Sequence, residues 1–193
     1  MKIIYCSILL LCLMSCKKAG DLLNYSDKNY TSYIKYEIQK GEHSSEQSSY
    51  DKSEYSELRF VVKFDNSAVY TTTDPANQLD VNKLYGFSDN NGTHHEFSAR
   101  IGWRWSEGEL RLFGYVYNNG KFGFNQIAPI SIGAEHECSI KVAGDKYIFS
   151  VDGNFITMPR ASTGAKAIGY KLFPYFGGDE TAPHAIRIWI KEK

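Results

Sequence analysis

The twelve residues HHEFSARIGWRW (94–105) hold two histidines, two arginines and two tryptophans. A strand sends successive side chains to opposite faces, so regular pairing here places His94, Glu96, Ser98, Arg100, Gly102 and Arg104 on one side. His95, Phe97, Ala99, Ile101, Trp103 and Trp105 take the other. The first set joins an imidazole to a guanidinium. Removing a proton beside a carboxylate calls for such a set: a cation to neutralise the carboxylate, a base for the proton and an acid for the leaving oxygen. Arg100 suits the first role and His94 the second, with Tyr115 or Tyr175 as the acid. The same face also suits binding without chemistry. A metal pair does not follow, because adjacent His94 and His95 point oppositely and no Cys or His cluster elsewhere completes a zinc set.

The next run, LRLFGYVYNNGKFGF, sets Arg111, Phe113, Tyr115 and Tyr117 on one face and Leu110, Leu112 and Val116 on the other. Sugars stack their C–H faces on aromatic rings and hydrogen-bond to arginine, so a glycan suits the first face. A second core layer suits it equally, since tyrosines fill sandwich interiors with their hydroxyls paired. Further on, in GYKLFPYFGGDETAPHAIRIWI (169–190), Asp179 and Glu180 follow two glycines and present carboxylates of the kind calcium takes. A plain turn explains that loop more simply, and no D-x-D-x-D-G run occurs.

Strands must position these groups. YIKYEIQ (33–39) alternates Ile34, Tyr36 and Ile38, and LRFVVKF (58–64) follows. GEHSSEQSSYDKSEYSE (41–57) is almost free of aliphatics and reads as a long exposed loop. Asn91-Gly92, Asn119-Gly120 and Asp152-Gly153 supply the positive φ angles of two-residue hairpins. The flanking runs are β-branched and aromatic, and none keeps helical spacing for three turns. The expected fold is all-β, with two packed antiparallel sheets. Cys138 alternates with Ile140 and Val142 and reads as a buried structural thiol.

The first residues carry an address. Met-Lys, an apolar run from Ile3 to Met14 and the sequence LMSC ending at Cys16 describe a secretory signal too short to span a bilayer. Leu13, Ser15 and Cys16 resemble a bacterial lipobox, which implies a signal peptide over 1–15 and lipid on Cys16. KKAGDLLNYSDKNYT then reads as a tether, giving 16–31 as linker and 32–193 as one domain. With 22 basic and 22 acidic residues, the chain has no bulk electrostatic reason to seek nucleic acid.

The aromatic hairpins, the strand order and the closing LFPYFGGDETAPHAIRIWI resemble concanavalin A-like jelly-roll domains over roughly residues 32–192. More narrowly, they resemble those in lipoproteins of glycan-degrading Gram-negative bacteria. The resemblance implies a jelly-roll β-sandwich, a glycan across its concave face, an outer-membrane location and, in many members, a calcium ion. FSARIGWR and YKLFPYF are similar to the arginine-rich and tyrosine strands of alginate-lyase-like members. Two departures stand out. The E-x-D-x-x-E motif of the glucanases is missing, and NQIAP stands where the lyases carry Q-I-H. The leading expectation is a lipid-anchored, non-catalytic carbohydrate-binding domain using Arg100, Arg104, Arg111, Tyr115 and Tyr117. Its rivals are a polysaccharide lyase using His94, Arg100, Tyr115 and Tyr175 on a uronate-containing glycan, and a partner-binding envelope subunit. No cofactor is required, with calcium at Asp179 and Glu180 the one candidate.

Overall fold

The computed structural model describes residues 32–46 and 50–193. The signal segment, Cys16 and the 16–31 tether lie outside the described residues. Twelve strands follow in chain order: β1 (Ile34–Ile38), β2 (Lys52–Tyr55), β3 (Glu57–Phe64), β4 (Asn82–Ser88), β5 (Phe97–Ser106), β6 (Glu109–Asn118), β7 (Lys121–Ile130), β8 (Glu135–Ala143), β9 (Lys146–Val151), β10 (Asn154–Pro159), β11 (Ala167–Leu172) and β12 (Ile186–Glu192). They form two six-stranded sheets, ordered β1-β12-β3-β8-β9-β10 and β2-β11-β4-β5-β6-β7. Every pairing is antiparallel. The fold is a two-sheet jelly-roll sandwich.

Period-2 patterning fills the space between the sheets. The first sheet contributes Leu58, Phe60, Val62, Phe64, Ile140, Phe149, Val151, Ile186 and Ile188. The second contributes Leu84, Tyr85, Phe87, Ala99, Ile101, Trp103, Leu110, Leu112 and Val116. Cys138 belongs to the same core as a free thiol, and its burial pushes the thiol pKa up, away from the reactive thiolate.

Three readings of the chain need correction. Asn119-Gly120 and Asp152-Gly153 do close hairpins, but Asn91-Gly92 sits inside a longer connection between β4 and β5. The tight turn between β5 and β6 is Glu107-Gly108, at φ 55° and 77°, which composition hides because glutamate rarely adopts positive φ. The polar stretch 41–57 is not all loop: Lys52–Tyr55 pairs with β11 at the sheet edge, and Ser45 is buried. Finally, YKLFPYF is not one strand. β11 stops at Leu172, before Pro174, and Tyr175 is held instead by isolated bridges to Ser44 and Lys83.

Candidate functional site on the outer face of the second sheet

Val81, Phe113 and Tyr115 form a small buried cluster of their own, with Tyr117 packed against it, separate from the inter-sheet core. The aromatic face of β6 is therefore an outer face, not a second core layer. On β5 the alternation holds from Ser98 to Trp105, so Ala99, Ile101 and Trp103 enter the core while Arg100 turns outward, between Gly86 of β4 and Tyr115 of β6. A Cβ on Gly86 would stand 2.7 Å from the Arg100 Cα and 2.8 Å from its Cγ. The glycine leaves room for the arginine to lie down against its neighbour strand.

Arg100 faces outward yet is only 6% exposed, covered by what stands around it. Its guanidinium lies 5.6 Å from the Tyr115 ring centroid, and its Nε has no hydrogen-bond partner. None of the ion pairs among the described residues includes it. Burial pushes its pKa down to about 10, with Tyr115, Tyr117, Tyr170 and Tyr175 close enough to oppose the shift. It is still cationic at neutral pH. A buried cation without a counter-charge is costly, and among the described residues none is supplied to Arg100.

A second cation shares the spot. Between Lys83 and Tyr85 a bulge puts both Leu84 and Tyr85 into the core and turns Lys83 outward. Its ammonium lies 5.0 Å from the centroid of the same Tyr115 ring. Burial, then the nearby Arg100 charge, lowers its pKa to about 8, against a smaller opposite pull from Asp80. Paired backbone hydrogen bonds, Lys83 N to Tyr175 O and Tyr175 N to Lys83 O, both 2.9 Å, fix Tyr175 beside it. His43 stacks on the Tyr175 ring at 5.2 Å and bonds the Phe176 carbonyl through Nδ1.

His94 completes the cleft, but not from a strand. Residues 94–96 form a turn, capped by the Glu96 carboxylate, which accepts from Thr93 N and Oγ1 at 2.9 Å. The expected opposition of the two histidines is wrong for that reason: their rings lie 4.1 Å apart, and His95 leans on Tyr117 at 5.4 Å. Burial, with Arg100 and His95 adding to it, lowers the His94 pKa to about 4, so the ring is neutral at pH 7. The Tyr170 hydroxyl stands 2.9 Å from both the His94 backbone N–H and its Nδ1. It accepts from the first and, facing a neutral ring, donates to the second. His94, Arg100, Tyr170 and Tyr175 line one cavity of about 230 Å³.

The structure thus gathers His94, Arg100, Tyr115, Tyr117 and Tyr175 and adds Tyr170 and Lys83, which the sequence reading missed. Arg104 and Arg111 lie on the same face but are otherwise engaged. Arg104 lies over the Phe113 ring and donates to the Leu79 carbonyl; Arg111 pairs with Glu107 and Glu109. Glu180 of the calcium candidate pair is engaged within the protein. The Glu180 carboxylate accepts from Thr73 N, Asp74 N and Asn77 Nδ2, tying two loops together, and no group of three metal-ligating side chains exists among the described residues.

No family model and no curated protein sequence matches the chain. Solved structures do match. One is the alginate lyase AlyC3, at 13% identity and TM-score 0.55, over 86% of this chain and 75% of that one. Another is the catalytic domain of an endo-1,3-β-glucanase (laminarinase) from Thermotoga petrophila, at 14% identity and TM-score 0.52, over 83% and 75%. A third is a functionally unknown protein from Saccharomyces cerevisiae, at 10% identity and TM-score 0.52, over 84% and 86%. The fold is the concanavalin A-like jelly roll. At such identities the likeness concerns the sandwich, and function has to be argued from the site.

Proposed function

We propose that the outer face of the second sheet binds an acidic polysaccharide through a uronate carboxylate. One observation carries this reading: Arg100 is a buried cation with no carboxylate partner among the described residues, ringed by tyrosines at the floor of an open cleft. Guanidinium meets carboxylate with two parallel hydrogen bonds, and the aromatic rings offer stacking for the sugar. The dimannuronate bound by AlyC3 is a ligand of that chemical class on the same sandwich.

Arg100→Met tests the reading, because the two roles an arginine can have give opposite results. Replacing an unpaired buried charge by an apolar chain of similar length should leave the denaturation midpoint unchanged or raise it. Retardation in gels containing alginate, pectate or glycosaminoglycans should fall at least tenfold, about 1.4 kcal/mol of binding. Lys83 adds a pH signature. It is cationic below about 8 and neutral above, so retention should weaken as pH rises through 8, and Lys83→Met should erase that step. Wild-type protein that migrates freely in every acidic gel ends the proposal.

A second reading, β-elimination on the same polymer, is favoured by the hydrogen bond between Tyr170 and the neutral His94 beside Arg100. Arg100 would neutralise the carboxylate while the Tyr170 oxygen, having given its own proton to His94, takes the proton next to it. The freed electron pair forms the C=C bond, the bond to the glycosidic oxygen breaks, and that oxygen takes a proton from the Tyr175 hydroxyl in the same cavity. Unsaturated products absorb in the ultraviolet. A rise that Tyr170→Phe abolishes, with binding kept within twofold, makes the protein a lyase; no rise with any polymer that binds makes it a binding module. The lipid anchor read at Cys16 belongs to this proposal and rests on Leu13, Ser15 and Cys16, while its outer-membrane location rests on the resemblance to envelope lipoproteins. Cys16→Ala should move the protein from the membrane fraction to the soluble one or halt its maturation.

A further inference from the structure

The two cations that share one ring on this face, Lys83 and Arg100, stand together at one end of it. At the level of Arg100 the row across the strands reads Arg100 on β5, Tyr115 on β6 and Phe124 on β7. Tyr115 is flanked by two nearly parallel rings, Phe122 at 6.1 Å and 5° and Phe124 at 6.3 Å and 1°. These phenylalanines are 61% and 40% exposed, an unusual expense of apolar surface on an edge strand. Two strand spacings, about 10 Å, separate Arg100 from the β7 edge. Among the described residues no unpaired cation stands in that strip. Lys121 alternates to the opposite side of β7 from Phe122. Arg111 is neutralised by Glu107 and Glu109, and the Arg104 guanidinium is drawn over the Phe113 ring and donates to the Leu79 carbonyl, one aromatic contact beyond Phe124.

Lys83 and Arg100, by contrast, both lie within 6 Å of one ring centroid, and the Arg100 charge adds to burial in weakening the charged state of Lys83. They converge on a single acidic position. A polymer charged at every sugar would carry its next carboxylates over phenylalanine, where nothing replaces the lost hydration. A neutral sugar would lay its C–H face there instead. Resting on the reading that this face binds an acidic glycan, we propose that its ligand is a mixed polysaccharide, with one uronate seated at Lys83 and Arg100 and neutral sugars laid over the exposed rings of Phe122 and Phe124.

The test compares the purified protein on polymers of matched length at physiological salt, where bulk charge attraction is screened. Hyaluronate and a glucuronoxylan supply acidic sugars separated by neutral ones; polymannuronate and polygalacturonate are charged at every residue. At least one mixed polymer should bind ten times more tightly than either homopolymer. The double variant Phe122→Ala/Phe124→Ala, whose side chains are exposed and leave the core intact, should erase that advantage and change homopolymer binding less than twofold. Homopolyuronates that bind as tightly as the mixed polymers, or a double variant that keeps the preference, overturn the inference and leave the acidic-glycan reading standing. Failure of every acidic polymer to bind overturns both.

Discussion

Arg160→Met should lower stability by about 3–5 kcal/mol, the usual consequence of leaving one partner of a buried ion pair alone. Arg160 and Asp89 are almost fully enclosed, with Nε 2.7 Å from the Asp89 Oδ2. The other guanidinium nitrogens donate to the carbonyls of Gly144, Gly164 and Lys166. Asp89 in turn accepts from the Tyr147 hydroxyl and from the backbone of Asn90 and Ile168. One arginine therefore ties the β4–β5 connection to the β8–β9 turn and to the segment entering β11. Burial alone would raise the Asp89 pKa; hydrogen bonds from Arg160 and Tyr147 outweigh it and hold the carboxyl below its ordinary range. In the wild type this contribution is present above the ordinary carboxyl pKa and is lost only as pH falls through the depressed value. In the variant the burial is no longer offset and the carboxyl pKa rises. The variant should then gain stability, relative to wild type, on acidification from pH 7 towards 5. Adding Asp89→Asn removes the stranded charge but keeps an acceptor for Asn90 and Ile168, so the double variant should recover part of the loss at pH 7. Urea melts at the two pH values decide it. A single variant within 1 kcal/mol of wild type at pH 7 would show that the pair is not what fastens these loops.

The same staple explains part of what the sequence hid. The loop that carries His94 is fastened at Asp89, and Asn91 N bonds the Ile168 carbonyl, so the position of His94 depends on contacts with residues far along the chain. Extending the β5 alternation back to His94 assumed a strand where Glu96 caps a turn. Arg100 and Tyr115 were legible because nothing interrupts the alternation of β5 or of the outer face of β6 around them, and two strands with polar outer faces need only that rule. Lys83 was not legible. Its direction depends on the extra residue at Leu84, and NKLYGFS contains no mark of a bulge. Tyr170 was visible as a strand residue, but its value as a site residue comes from His94, a partner contributed by a different loop. That two sheets form could be read from the turns and alternation. Which strands neighbour one another could not, since β12 between β1 and β3, and β11 between β2 and β4, are crossovers set by the whole core. Phe122 and Phe124 alternate plainly in KFGFN, but their exposure shows only once β7 is seen at the sheet edge.

Trp103→Ala should cost about 3–5 kcal/mol, the range for emptying a large core site, while ligand affinity measured well below the unfolding midpoint stays within twofold of wild type. Trp103 is fully buried at the centre of the second sheet. Its ring meets Phe64 of the opposite sheet at 5.4 Å, Tyr70 edge-on at 5.7 Å and Phe176 at 6.2 Å. Aromatic contacts of this kind add to the area they bury. The indole Nε1 has no hydrogen-bond partner, so the residue stays by packing alone. Trp103→Phe keeps a ring in the cluster and removes the unpaired donor, and should lose well under half of what alanine loses. Trp103 points inward while Arg100, three residues earlier on the same strand, points outward beside Tyr115. The two substitutions should therefore separate cleanly: tryptophan loss acts on the melt and arginine loss acts on binding. Denaturant melts and affinity gels on the same two variants measure both quantities. A Trp103→Ala protein that melts like wild type but no longer binds would invert the faces of β5 and make the tryptophans, not the tyrosines, the sugar platform.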